Sequence, residues 1–118
     1  MNKYEIINLD SKIVKIAFSG EITLDNSLIF KEEIKNYLVD KGIYFLIIDL
    51  NEVEFIDSSG LGMLISFFKE INEKKGQLVY IGIHDYVAKI IDLVQLGQVF
   101  IIKDDEKEAL EVLKEYYE

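Results

Sequence analysis

Apolar positions along the chain switch between two spacings. Tyr4 to Leu9 reads as a short strand. Ile13 to Ser19 reads as a second, with Val14, Ile16 and Phe18 on one face and Lys15 and Ser19 on the other. The link Asp10-Ser11-Lys12 is of hairpin length, so this pair is expected to be antiparallel. Gly20 is expected to end the second strand. Asp25 to Asp40 then predicts a helix whose stripe is Leu24, Leu28, Ile34 and Leu38, with Phe30 and Tyr37 beside it and Gly42 just past its end. Ile43 to Leu50 is almost continuously apolar, the pattern of a strand covered on both faces. Asn51 to Asp57 reads as an irregular connector. Ser58 to Lys75 predicts a second helix through Leu61, Leu64, Ile65 and Phe68, stopped by Gly76. Leu78 to Ile83 is a strand, and Asp85 to Leu96 carries Val87, Ile90, Ile91 and Val94 at helical spacing. Val99 to Ile102 is a last short strand. Asp104, Asp105 and Glu106 open a C-terminal helix with Ala109, Leu110, Leu113 and Tyr117 on its apolar stripe.

The order β-β-α-β-α-β-α-β-α predicts one α/β domain over residues 1–118. Its sheet is expected to be mixed, mostly parallel and five-stranded, with an N-terminal antiparallel hairpin and about four helices. Neither a repeat nor a domain boundary interrupts it.

Composition narrows the chemistry. The chain has 118 residues, half of them apolar, so it can bury a real core. Cysteine and proline are absent and there is one histidine, His84, which excludes disulfides, thiolate sites and multi-histidine metal sites. The 13 basic residues are all lysines, and the net charge is −9. Such a polyanion is repelled by nucleic acid and by anionic lipid. With neither an apolar run of membrane-spanning length nor a signal-like N-terminus, the chain is expected to be soluble and cytoplasmic. Nothing in it calls for a cofactor or a metal.

One segment stands apart: Asp57-Ser58-Ser59-Gly60-Leu61-Gly62. It follows the most apolar strand and opens an amphipathic helix, at the strand ends where α/β sheets place their sites. Asp57 alone reads as an N-cap. A cap does not account for two adjacent serines in a glycine-lined turn. A phosphoserine does: the first turn of a helix offers free N–H groups and a favourable dipole to phosphate. By spacing alone Ser58 and Ser59 serve equally well as acceptor.

Ile47-Ile48-Asp49-Leu50 through Asp57-Ser58-Ser59-Gly60-Leu61-Gly62 resembles the signature of the anti-sigma factor antagonists, small bacterial members of the STAS domain family. Gly20-Glu21-Ile22, Gly76-Gln77-Leu78-Val79, Val99-Phe100 and Glu108-Ala109-Leu110 extend the likeness over nearly the whole chain. The resemblance implies partner switching. The unphosphorylated antagonist binds an anti-sigma factor that is also a serine kinase, and the sigma factor is freed. Phosphorylation then breaks the complex, and a serine phosphatase resets it. It implies Ser58 as phosphoacceptor, and a docking surface at Glu21, Thr23, Asn26, Asp57, Ser59, Gly60, Leu61 and Gly62. The protein is then a kinase substrate rather than an enzyme, a monomer or small oligomer when alone. Two positions depart from the family pattern: Thr23 stands where Asp is frequent, and Gly97 is shifted in Leu93-Val94-Gln95-Leu96-Gly97. The first bears on which anti-sigma factor is recognised.

Other classes fit less well. A serine hydrolase needs a G-x-S-x-G elbow, absent here, and its base would have to be His84. A response regulator phosphorylated on Asp57 needs paired acids after its first strand, where this chain has Asp10 and Ser11 in a hairpin. An acyl carrier is helical. The alternative within the family is a STAS subunit of a larger signalling or transport-associated assembly, without a switch. His84 is expected as a cap or surface residue. Tyr44, Phe45, Phe67 and Phe68 are expected in the core, and Glu32, Glu33, Glu52 and Glu54 in solvent.

Overall fold

Asp10 turns the chain as its position predicts: its side-chain oxygen accepts from the N–H groups of Lys12 (2.8 Å) and Ile13 (3.2 Å). The computed structural model describes residues 2–117, the side chain of Tyr117 excepted. The expected place of Tyr117 on the last helix's stripe therefore lies outside the described residues. The turn joins β1 (Lys3–Asn8) to β2 (Ile13–Ile22). There follow α1 (Ser27–Lys41), β3 (Phe45–Ile56), α2 (Ser58–Glu73), β4 (Gln77–Ile81), α3 (Asp85–Leu93), a single 3₁₀ turn (Leu96–Gln98), β5 (Ile101–Lys103) and α4 (Glu106–Tyr117). The sheet runs β1-β2-β3-β4-β5, antiparallel between β1 and β2 and parallel thereafter.

Parallel strands laid down in sequential order, with crossovers of one hand, bring α1, α2 and α3 to one face of the sheet. Val14, Ile16 and Phe18 of β2, Leu46, Ile48 and Leu50 of β3, and Leu78 and Tyr80 of β4 are buried there with Ile34, Leu38, Leu64, Phe67, Ile71, Val87 and Ile91. The alternate residues Ile13, Ile47, Val79 and Ile81 form a second core with Ala109 and Leu113 of α4. This is why Ile43 to Leu50 shows no alternation: β3 is covered on both sides. An ion pair of 2.6 Å between Lys15 and Glu106 fastens α4 across β2.

Several expectations need correction. Gly20 does not end β2. It takes a positive φ of 84°, and the strand continues to Ile22. Asn51 to Ile56 is not an irregular connector but the far half of β3. Between Ala17↔Asp49 and Ser19↔Glu52, and again between Gly20↔Val53 and Glu21↔Phe55, β3 carries one residue more than β2. These bulges space the buried Leu50, Val53 and Ile56 three apart, which hides the strand from a period-two reading.

The first helix starts at Ser27 rather than Asp25 because the Thr23 carbonyl accepts from the N–H groups of Asn26 (3.1 Å) and Ser27 (2.8 Å), making a turn first. Its buried stripe is therefore Ser27, Phe30, Ile34 and Leu38, and Leu24 and Leu28 face water. Lastly, Tyr44 is exposed, while Phe67 is buried and Phe45 and Phe68 are half-buried. Val94, at the end of α3, is exposed too.

Candidate functional site

The Asp57 motif sits where β3 hands over to α2, beside the end of β2. Asp57 is the N-cap of α2, in an extended conformation. One carboxylate oxygen accepts from the Gly60 N–H at 3.0 Å, the usual capping bond. The other accepts from the Leu24 N–H, also at 3.0 Å, across 33 residues of chain. The Asp57 N–H in turn donates to the Ile22 carbonyl at 3.2 Å. Asp57 thus ties the turn after β2 to the start of α2 by bonds in both directions. The Gly60 N–H foremost, and then that of Leu24, hold its carboxyl below the ordinary carboxylate value of 3.8, although partial desolvation works the other way.

Ser58 is exposed in the first turn of α2, while Ser59 is half-buried. The difference comes from helix geometry: successive residues lie about 100° apart around the axis, so only one of the two serines faces fully outward. Gly60 is buried. A Cβ there would stand 2.4 Å from the Ile22 carbonyl oxygen and 2.6 Å from Ile56 Cγ1. Its missing side chain lets α2 lie directly on the ends of β2 and β3. Gly60 therefore sets the seat of the helix. Leu61 is half-buried against the core. Gly62 is exposed, with nothing within 4 Å of an added Cβ.

Glu21, Thr23 and Asn26 belong to the same corner. The Asn26 side chain accepts from the Thr23 N–H at 3.0 Å and donates to the Glu21 carbonyl at 2.9 Å, so it stiffens the turn instead of capping α1. The Glu21 side chain is left in water. The fold therefore brings together Glu21, Thr23, Asn26, Asp57, Ser58, Ser59 and Gly62, from two segments more than thirty residues apart.

Sequence reasoning missed the groove beside them. Leu24, Ser27, Leu28 and Lys31 from α1 and its approach, with Ser59 and Met63 of α2, line a cavity of about 260 Å³. The available signal was that Leu24 and Leu28 are out of phase with Phe30, Ile34 and Leu38.

His84 lies at the other edge of this end of the sheet. It stands at the N-cap position of α3 but makes no side-chain capping bond. Its Nδ1 is 2.9 Å from the Asp85 carboxylate and its Nε2 is 2.9 Å from the Asn51 carbonyl. Both partners are acceptors, which favours the doubly protonated ring. The Asp85 contact first, then that of Asn51, raises its pKa. Beside it Phe55 stacks on Tyr86, ring centres 5.1 Å apart, so that α3 is held to β3.

Comparison with known proteins bears on this corner. Residues 6–109 match the STAS domain. An anti-sigma-B factor antagonist of Listeria monocytogenes is 34% identical over 104 residues, covering 88% of this chain and 90% of its own. The crystal structure of an anti-sigma factor antagonist from Mycobacterium paratuberculosis superposes with a TM-score of 0.85 at 22% identity, covering 97% of this chain and 95% of its own. The Bacillus cell fate determinant SpoIIAA in its phosphorylated form gives a TM-score of 0.74 at 18% identity, over 92% and 97% of the two chains. Both structures establish likeness of fold. The extent of the family match and the identity to the Listeria protein together show that this chain belongs to the STAS domain family, among relatives that are anti-sigma factor antagonists.

Proposed function

We propose that this chain is an anti-sigma factor antagonist switched by phosphorylation at Ser58. Unphosphorylated, it binds an anti-sigma factor serine kinase and thereby frees a sigma factor. The observation that carries the reading is an exposed Ser58 hydroxyl in the first turn of α2, next to a carboxylate kept ionised by backbone N–H groups. The kinase transfers the γ-phosphoryl group of ATP to Ser58 Oγ, whose proton is lost, and ADP leaves. The phosphoserine adds about −1.5 to −2 charges beside Asp57. At a docking surface this repels acidic groups and leaves a costly charge in any contact that excludes water. A serine phosphatase reverses the step. The chain is a substrate of both enzymes and not itself an enzyme. It works in the cytoplasm as a monomer or small oligomer, apart from nucleic acid and from the bilayer.

Glu21, Thr23, Asn26, Asp57, Ser59, Leu61 and Gly62 form the docking surface in this reading, with Gly60 setting its shape. The greater exposure of Ser58 than of Ser59 supports the choice of acceptor. The identity to the Listeria antagonist supports the partner class.

The test is affinity capture from the native lysate with ADP or ATP, using wild type, Ser58→Ala and Ser58→Asp. A serine kinase retained by wild type and Ser58→Ala but lost by Ser58→Asp is expected. With ATP, phosphate should appear on wild type and not on Ser58→Ala. Equal capture of one large assembly by all three would overturn the switch in favour of a structural STAS subunit. Phosphorylation of Ser58→Ala with loss of the kinase would overturn the choice of acceptor.

A further inference from the structure

We infer that the groove between α1 and α2 receives an apolar side chain of the partner protein, followed within a few residues by a carboxylate that reaches Lys31. The inference deepens the proposed function and rests on it for the identity of the partner, though not for the chemistry of the groove. Leu24 and Leu28 are 75% and 60% exposed on one lip, and Met63 is buried beneath them. The cavity of about 260 Å³ lies below the roughly 300–1,000 Å³ of a drug-sized pocket, so it suits one large side chain rather than a small-molecule ligand.

Charge selects the occupant. Lys31 is the one charged residue in the lining, and among the described residues it has no ion pair. A cation at an apolar groove complements a carboxylate next to the inserted side chain. A second copy of this chain, with net charge −9, is disfavoured by repulsion. The groove is also continuous with the motif: Ser59 lines it, and Asp57 holds the Leu24 N–H at its lip. Phosphate on the neighbouring Ser58 thus stands beside a site that works by excluding water.

The test uses the full chain and random dodecapeptides displayed on phage, with selected peptides then synthesised and titrated by fluorescence anisotropy. Selection should yield peptides with a Leu, Ile, Met or Phe followed within four residues by Asp or Glu. Leu28→Glu, at an exposed position where the circular dichroism should stay unchanged, should weaken them about tenfold or more. Lys31→Gln should weaken them about threefold, and that loss should vanish for peptides whose acid is replaced by its amide. Peptides that bind Leu28→Glu as tightly as wild type, selection of cationic peptides, or no selection at all would overturn the inference. So would a dimer seen by sedimentation that Leu28→Glu abolishes, since a second copy would then be the occupant. The peptide result is independent of Ser58. If no kinase is captured yet groove-dependent peptides are selected, the switch falls and the groove stands. A kinase captured equally by wild type and Leu28→Glu would sink the groove and leave the switch.

Discussion

Gly60 and Gly62 lie two residues apart in α2, and adding one methyl group to each should have opposite effects. At Gly60 the new carbon would sit 2.4 Å from the Ile22 carbonyl oxygen, about 1 Å inside ordinary van der Waals contact at 3.4 Å. Two of its three nearest neighbours are a backbone oxygen and the Cγ2 of the fully buried Ile22. Neither can swing away, so α2 must move off the sheet or Ile22 must shift. Overpacking of this sort costs about 1–3 kcal/mol. Better helix propensity returns about 0.5–1 kcal/mol, so the middle of the two ranges leaves Gly60→Ala destabilised by about 1.3 kcal/mol. Unfolding of 118 residues carries an entropy of about 0.25 kcal/mol/K, so the melting temperature should fall by about 5 °C. At Gly62 the methyl group meets nothing within 4 Å, and only the propensity gain remains. Gly62→Ala should melt about 2–4 °C higher than wild type. Thermal melts of both variants by circular dichroism decide the matter. A Gly60→Ala variant as stable as wild type, or a destabilised Gly62→Ala, would refute the close seating of α2 on β2. Gly60→Val, bulkier and β-branched, should lose more than Gly60→Ala and with it partner binding.

Three further outcomes follow from the same geometry. Because the Asp57 pKa is lowered, its contribution to stability is fully present above the unfolded value of 3.8 and is lost as pH falls through the folded one. The amide signals of Leu24 and Gly60 should therefore titrate together with a midpoint below 3.8, and independent midpoints would contradict the shared carboxylate. The pKa of His84 is raised, so its contribution is complete below the ordinary 6.5 and disappears as pH rises through the folded value. Its ring carbons should titrate above 6.5 by NMR, and Asp85→Asn should bring the midpoint down; no change would show that the Asp85 contact does not form in solution. Tyr80→Phe removes a buried hydroxyl that donates to the Leu64 carbonyl at 2.8 Å, and should cost about 0.5–1.5 kcal/mol in urea unfolding.

Much of this protein was legible in its residue pattern. The alternation at Ile13 to Ser19 and the unbroken apolar run at Ile43 to Leu50 marked two strands, the second covered on both faces, and hence an α/β sheet packed by helices. The charge and the missing cysteines narrowed the chemistry, and the Asp57 motif located the helix start. These properties are local or additive, and a chain displays them before it folds. Three features depended on tertiary contact. The far half of β3 exists because β2 pairs with it across two bulges, which a period of two cannot show. The phase of α1 is set by a turn that the Asp57 carboxylate holds at Leu24 from across the chain, and that turn puts Leu24 and Leu28 in water. The second bond of Asp57, to Leu24, joins residues 33 apart that only the seating of α2 against β2 brings within 3.0 Å. Sequence spacing carries information over one or two turns of a helix; contacts between elements depend on where the sheet places them, and the groove beside Ser59 is such a contact.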